Sequence, residues 1–306
     1  MMISRFSAIT AALCWTMPLA YGFVPGPGFS NHNQRHSTPV VGPLNAGAIT
    51  PGDTVLVVGG TGGVGQLVTR KLQENRNCKV SVTSRDKERG EETIANENVN
   101  VVELDLIGSS QSEMQAVMKG VSGVVISVGT TAFPTAKWRG GNTPKAIDEE
   151  AVTKLAKAAA ACPSIKKVVL VTSVGVDRTG EMPFLILNLF GVLDAKKQGE
   201  ESLKAAAAAG GFDYCIVRPG RLVGGPFTNL DVARLLQIEG GAENGVECAP
   251  GDSLLGDCKR DACAEAIVQA LQTKEAKNID FSIISTESPA LTTSEWKAQF
   301  KKLQSS

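Results

Sequence analysis

Residues 55–68 read VLVVGGTGGVGQLV, and the fold follows from this stretch. The unbroken apolar run over 54–58 fits a central strand buried on both faces. Gly59, Gly62 and Gly65 then follow with GxxGxxG spacing, and a helix is predicted over 64–75. The three glycines serve a tight turn, close backbone approach to a pyrophosphate, and close packing of helix on strand. With Thr61 inside the turn, the amides around Gly62, Gly63 and Val64 open the helix. They offer an anion unpaired N–H donors and partial positive charge. Strand, turn and helix together predict a site for the pyrophosphate of NAD(P).

Outward from this turn, strand and helix signals alternate from residue 53 to the end. That pattern predicts a single α/β domain built on a doubly wound parallel sheet, the Rossmann arrangement. Further strands are expected over 79–84, 99–104, 123–128, 167–172, 213–217 and 279–284. Helices are expected over 148–161, 194–209, 260–272 and 294–303. Another runs from a cap at Ser110 through Val117, with Glu113 completing a capping box. Three long connections, 129–147, 174–190 and 220–259, leave the carboxyl ends of strands, where ligands bind in open sheets.

The 306 residues carry no net charge, so nothing provides an electrostatic footprint for nucleic acid. All 31 acidic residues lie in 53–306, together with every Lys and Arg except Arg5 and Arg35. Both histidines, His32 and His36, precede that segment. Ser-His-Asp and Cys-His catalysis are thereby excluded from the folded domain, and a zinc or iron site is disfavoured. Cysteines 78, 162, 215, 248, 258 and 263 form no CxxC pair. Cys215 reads as a small buried hydrophobe, while Cys258 and Cys263 are either the same or a redox pair.

The first 52 residues read as an address. Arg5, the apolar run 6–20 and small residues at Ala20 and Gly22 have the anatomy of a signal peptide over 1–22. That run is too short, and too broken by Pro18, for a membrane span. Residues 23–52 are rich in Pro, Gly, Asn, Ser and Thr and lack acid, reading as a disordered, transit-peptide-like leader. A signal joined to such a stretch resembles the bipartite plastid leader of algae with complex plastids, with Ala20-Tyr21-Gly22-Phe23 at the junction. The middle residue departs from the usual small one. Ordinary secretion with a disordered linker is the alternative.

The glycine spacing with Thr61 resembles the extended and atypical short-chain dehydrogenase/reductase (SDR) superfamily, and the likeness continues along 53–306. SVTSRD (81–86) is similar to the family's second-strand ending, where Arg85 would face the adenosine 2′-phosphate. No acid occupies the strand tip to grip a free 2′-hydroxyl, so NADP(H) is expected over NAD(H). VVELDL (101–106) looks like the third strand, placing Asp105 and Leu106 near adenine. SVGT (127–130) resembles the end of strand four, with Val128 and Gly129 beside the ribose. VTSVGV (171–176) and IVRPG (216–220) resemble strands five and six. The subgroup most similar is the atypical, NmrA-like and plastid-import-associated SDR proteins.

One part of the family chemistry is missing. Typical SDR enzymes use Ser, Tyr and Lys, with Tyr four residues before Lys. Ser173 holds the serine position and Lys196 and Lys197 lie on the expected helix, but Val192 and Leu193 stand where tyrosine belongs. Tyr214, the only tyrosine in 53–306, begins strand six and reads as structural. Lys196 is then either a general acid or base acting without tyrosine, or a ribose contact or exposed helix charge. Phe133, Trp138 and Arg139 either wall a pocket for a planar or anionic substrate or pack on the surface. MPFLILNLFG (182–191) is apolar on every face and reads as a lid, an interface or a peripheral membrane contact. Two functions stay open: an oxidoreductase on a small or planar plastid metabolite, with catalytic Ser173 and Lys196, or a non-catalytic NADP(H)-responsive factor with a plastid protein partner.

Overall fold

Four residues of the central strand β1 (Thr54–Val58) are buried, and they alternate between two hydrophobic clusters. Val55 and Val57 enter one, Leu56 and Val58 the other. A strand with two buried faces requires a layer of helices on each, and the rest of the chain supplies them. The computed structural model describes residues 47–74, 76–225 and 244–305. The signal peptide expected over 1–22 and residues 23–46 of the leader expected over 23–52 lie outside these residues, while 47–52 of that leader are described.

In chain order the elements are α1 (Gly63–Glu74), β2 (Lys79–Ser84), α2 (Lys87–Ile94), β3 (Val99–Glu103), α3 (Gln111–Val117), β4 (Gly123–Ile126), α4 (Val152–Ala160) and β5 (Lys167–Val171). There follow α5 (Phe184–Leu187), α6 (Val192–Gly210), β6 (Asp213–Pro219), β7 (Arg221–Val223), β8 (Asn244–Pro250), β9 (Asp257–Lys259), α7 (Arg260–Gln272), β10 (Ile279–Pro289) and α8 (Thr293–Gln304). Helices α1, α7 and α8 pack on the Val55–Val57 face; α3, α4 and α6 pack on the Leu56–Val58 face. The main sheet runs β3-β2-β1-β4-β5-β6-β10-β8. Its pairings are parallel from β3 through to β10, and β8 closes the edge antiparallel to β10. The chain moves outward one way from β1 to β3 and the other way from β4 to β6. The reversal leaves a crevice at the carboxyl ends of β1 and β4.

The doubly wound α/β architecture is the expected one, with local departures. Helix α2 has no counterpart among the elements expected from sequence, since only Gly90 of its eight residues is buried. The connection 220–259 contains β8 and a small parallel sheet of β7 and β9; residues 226–243 of it lie outside the described structure. The helix expected over 148–161 begins three residues earlier, as a π-helical turn at Lys145–Ala151 that leads into α4. Ser110 and Glu113 do form the expected capping box on α3.

Packing begins before Asp53, because Ile49 is buried and its amide donates to Leu271 O. Asp53 fastens this start. It accepts from the Thr50 amide and hydroxyl, from Ser122 and from Lys166, at 2.8–3.0 Å. Burial by itself would raise its pKa, but the Thr50 amide, Lys166, the Thr50 hydroxyl and Ser122 together hold it down at about 2, against an ordinary 3.8. A folded-state pKa below the unfolded one adds stability above the unfolded value, lost as pH falls through the folded one. Asp53→Asn is therefore expected to lower Tm at pH 6 and to leave it nearly unchanged below pH 2. A mutant deficit that persisted at the acid end would show that Asp53 acts by packing instead.

Candidate nucleotide-binding site

The glycine turn is built around distances that only glycine allows. Gly59 has φ +82°, and a Cβ there would stand 2.5 Å from Ser127 O and 2.9 Å from Val128 Cγ1. The turn is thus locked to the tip of β4. A Cβ on Gly65 would strike Gly59 O and stand 2.7 Å from Gly60 Cα, so α1 starts hard against the turn. Gly62 is different: its Cβ would meet only Gly59 O, at 3.2 Å. Beyond that carbonyl the space above Gly62 is open. Gly62 N donates to Gly59 O, and Gln66 N to Gly62 O opens the helical ladder. The amides of Gly63, Val64 and Gly65 precede that ladder at the positive end of α1, whose first turn carries no acid. Thr61 is half-buried on the turn, its carbonyl held by Gln66 Nε2 at 2.8 Å. A dinucleotide pyrophosphate fits this cradle.

Beside it, a cavity of about 230 Å³ is lined by Thr61, Ser84, Arg85, Asp86, Arg89 and Thr93. Arg85 is exposed, its Nη1 3.2 Å from Asn142 Oδ1. The acid two residues past the β2 tip, Asp86, caps α2 by accepting from the Arg89 amide. Arg89 is not part of any motif read from sequence; its signal is the spacing of four from Arg85 across that cap. Asp105 accepts from the amides of Ile107 and Gly108, both at 3.1 Å, and so shapes the turn after β3. Leu106 packs half-buried on the core.

At the tip of β4 the structure brings together residues far apart in sequence. A Cβ on Gly129 would lie 2.9 Å from Lys196 Nζ and 3.2 Å from Asp148 Oδ1. Lys196 pairs with Asp148 at 2.5 Å, and the Asp148 side chain is 1% exposed. The second carboxylate oxygen accepts from Thr130 N at 3.1 Å and Thr130 Oγ1 at 2.5 Å. Gly199 lets α6 come this close, since a Cβ there would strike the Asp148 carbonyl.

The sequence profile of the NAD(P)H-binding family matches residues 59–274. The chain belongs to this NAD(P)H-binding family. It is 28% identical over 259 residues to the protein named TIC 62, chloroplastic, of Oryza sativa subsp. japonica, covering 73% of this chain and 48% of that one. It therefore spans about half the length of that relative. Among solved structures, the oxidoreductase ylbE from Lactococcus lactis superposes with TM-score 0.61 at 18% identity, over 83% of this chain and 97% of that one. A short-chain dehydrogenase/reductase from Veillonella parvula in complex with NADP gives 0.55 at 16%, over 78% and 98%. These two likenesses are of fold.

In this NAD(P)H-binding protein, the standard SDR proton relay is not assembled among the described residues. Tyr214 pairs with Val168 in the first half of β6, at the opposite end of the sheet from Lys196. Ser173 follows β5, with Oγ donating to Val174 O at 2.9 Å. Lys197 turns away from Lys196 and pairs with Asp177 at 2.6 Å. Asp177 in turn joins a buried ionic group with no signature in the sequence. Arg218 and Glu200, both fully buried, form a two-pronged pair at 3.1 and 2.7 Å. Glu200 also accepts from Thr172 Oγ1, and Arg218 reaches Asp177 and Asp280. Burial alone would lower the Arg218 pKa; the Glu200 carboxylate, with Asp280 and Asp177, raises it instead. Helix α6 is therefore anchored at Lys196, Lys197 and Glu200.

Between β4 and α6, Phe190 meets Phe133 and Trp138 edge-on, with ring centroids 6.0 and 6.1 Å apart. Trp138 Nε1 donates to Thr131, next to Thr130. Arg139 is exposed and its carbonyl accepts from Asn142. In the 182–191 segment Phe184 is buried beneath Arg178, while Met182, Leu185, Ile186, Leu189 and Phe190 are exposed. Among the described residues no helix is long and apolar enough to cross a membrane. A larger cavity of about 680 Å³ lies behind α1, lined by Arg70, Gln73, Asn96 and others. Its described lining comes mainly from α1 and the end of α2, and the Lys196–Asp148 pair lies instead at the crevice.

Proposed function

We propose that the chain is an NADP(H)-dependent oxidoreductase of the plastid acting on a small or planar metabolite. The observation that carries this reading is the Lys196–Asp148 pair against Gly129, at the strand tip that adjoins the glycine turn. When bound, the reduced nicotinamide supplies a hydride; the protein must then hold the substrate and deliver a proton. Lys196 is the proton donor beside the crevice, and Ser173 orients the substrate oxygen. Phe133, Trp138 and Phe190 give a planar substrate an aromatic wall. Asp105, Leu106, Val128 and Gly129 line the adenine and ribose side.

The preference for NADP(H) rests on Arg85 and Arg89 around one cavity, with the nearest acid used as a helix cap. Arg85→Ala is expected to weaken NADPH about tenfold and leave NADH nearly unchanged, as for loss of one charge-assisted phosphate contact. Equal weakening of both nucleotides in a fluorescence titration would remove the 2′-phosphate role. Plastid location is supported by the signal-plus-transit pattern over 1–52 and by the likeness to a relative named chloroplastic. Complex plastids of an alga are the setting that pattern resembles.

A second reading has its own observation. The exposed run Met182, Leu185, Ile186, Leu189 and Phe190 suits a non-catalytic, NADP(H)-responsive factor that binds a plastid protein. A panel of conjugated carbonyl compounds with NADPH, read as loss of nicotinamide absorbance, separates the two. Turnover supports the enzyme; nucleotide-dependent stabilisation with no turnover across the panel supports the factor. If neither NADP(H) nor NAD(H) raises Tm at millimolar concentration, both readings fail.

A further inference from the structure

We infer that Asp148 is a positioning residue that fixes the Lys196 ammonium under the Gly129 turn, in place of the absent tyrosine. This deepens the proposed NADP(H) site and rests on it. The side chain of Asp148 is 1% exposed and that of Lys196 11%, so neither is a solvated helix charge. The carboxylate is held in orientation from two directions. Thr130 fixes one oxygen through both its amide and its hydroxyl, and the other oxygen faces Lys196. A lysine has three N–H donors. Asp148 takes one, and no other acceptor among the described residues engages the remaining two.

The surrounding sequence is arranged for this contact. The π-helical turn Lys145–Ala151 directs Asp148 inward, and such turns recur at functional sites. Gly199, three residues after Lys196, removes the side chain that would hold α6 away from Asp148. Gly129 removes the side chain that would cover Lys196 Nζ. The two donors that no described residue engages thus lie at the β4 tip, where the nicotinamide ribose and the reacting oxygen of a substrate would meet them. Without Asp148, the four-carbon stem of Lys196 has no fixed end point.

The test uses the full folded protein with Asp148→Asn, Lys196→Met and the double variant, and Thr130→Val as a milder change that leaves the ion pair intact. Trinitrobenzenesulfonate labelling of Lys196, followed by peptide mass spectrometry, reports its freedom directly. Lys196 is expected to label about tenfold faster in Asp148→Asn than in the parent, with an intermediate rate in Thr130→Val. Saturating NADP+ is expected to protect Lys196 in the parent and much less in Asp148→Asn. NADPH affinity is expected to fall about tenfold in each single variant and no further in the double, since two residues acting as one unit do not add. Equal labelling in parent and Asp148→Asn, or additive losses of affinity, would overturn the inference while leaving nucleotide binding intact. Should Asp148→Asn not fold, unprotected Lys196 in the parent with NADP+ bound, or parental labelling in Thr130→Val, would overturn it. A parent that binds no nucleotide defeats the broader reading instead, and the nucleotide-free labelling still decides the pair.

Discussion

Gly65→Val is expected to abolish nucleotide-dependent stabilisation and weaken NADPH binding by roughly 100-fold or more, about 2.7 kcal/mol. The reason is steric and local. Any Cβ at Gly65 meets the Gly59 carbonyl and the Gly60 Cα, both backbone, so no side chain can rotate away. Relief requires α1 to move off β1, which spoils the amides of the cradle and strains the core, at about 1–3 kcal/mol for overpacking. Gly62→Ala makes the informative contrast. Its Cβ has only the Gly59 carbonyl at 3.2 Å, so Tm without nucleotide should barely change, while the pyrophosphate loses its close approach. Calorimetry of both variants with and without NADPH reads the two effects separately. Equal loss of nucleotide-free stability in the two variants would contradict this division of roles.

The largest effect on stability is expected at Glu200. Removing one partner of a buried ion pair leaves an uncompensated charge and costs about 3–5 kcal/mol. Glu200→Ala leaves Arg218 fully buried against only Asp177 and Asp280 and strips Thr172 of its acceptor. Replacing both partners by apolar residues of similar size, Glu200→Leu with Arg218→Met, should cost much less than the single change. Asp177 would keep Lys197, and Asp280 would keep Lys204 at 3.7 Å. Urea unfolding of the single and double variants tests this. A double variant as unstable as the sum of its single changes would show that packing, not charge, dominates the site.

Whether a residue could be read from sequence depended on how local its contacts are. The strands β1, β4 and β5 read correctly because their buried faces are continuous in sequence, as in VLVV and GVVI. The α3 cap was legible because Ser110 and Glu113 are three residues apart. Strands β7 and β9 have three residues each, too few for a period to show, and α2 buries too little to make an apolar stripe. Asp148 carries no sign of its role in the sequence because its partner is 48 residues away on α6. Lys196 was visible from its place on the expected helix, but its carboxylate partner was not. Arg218 and Glu200 were hidden for a related reason: an arginine inside an apolar strand gives no sign of which acid will meet it. The two-sided burial of the sheet was written in composition; the ionic contacts that shape the crevice depended on how distant segments meet.

Asp252 carries a consequence for how such proteins are rebuilt. Its side chain is 1% exposed and accepts from the Gly175 and Asp177 amides and from Arg178, all at 2.8–2.9 Å. The loop after β5 therefore takes its shape from a residue beyond β8, and the two segments form one unit of inheritance. A chimaera that transplants 174–178 from a relative without its counterpart at 252 would receive the letters of the loop and not its conformation. Exchange of this loop between such chains would have to move both segments together.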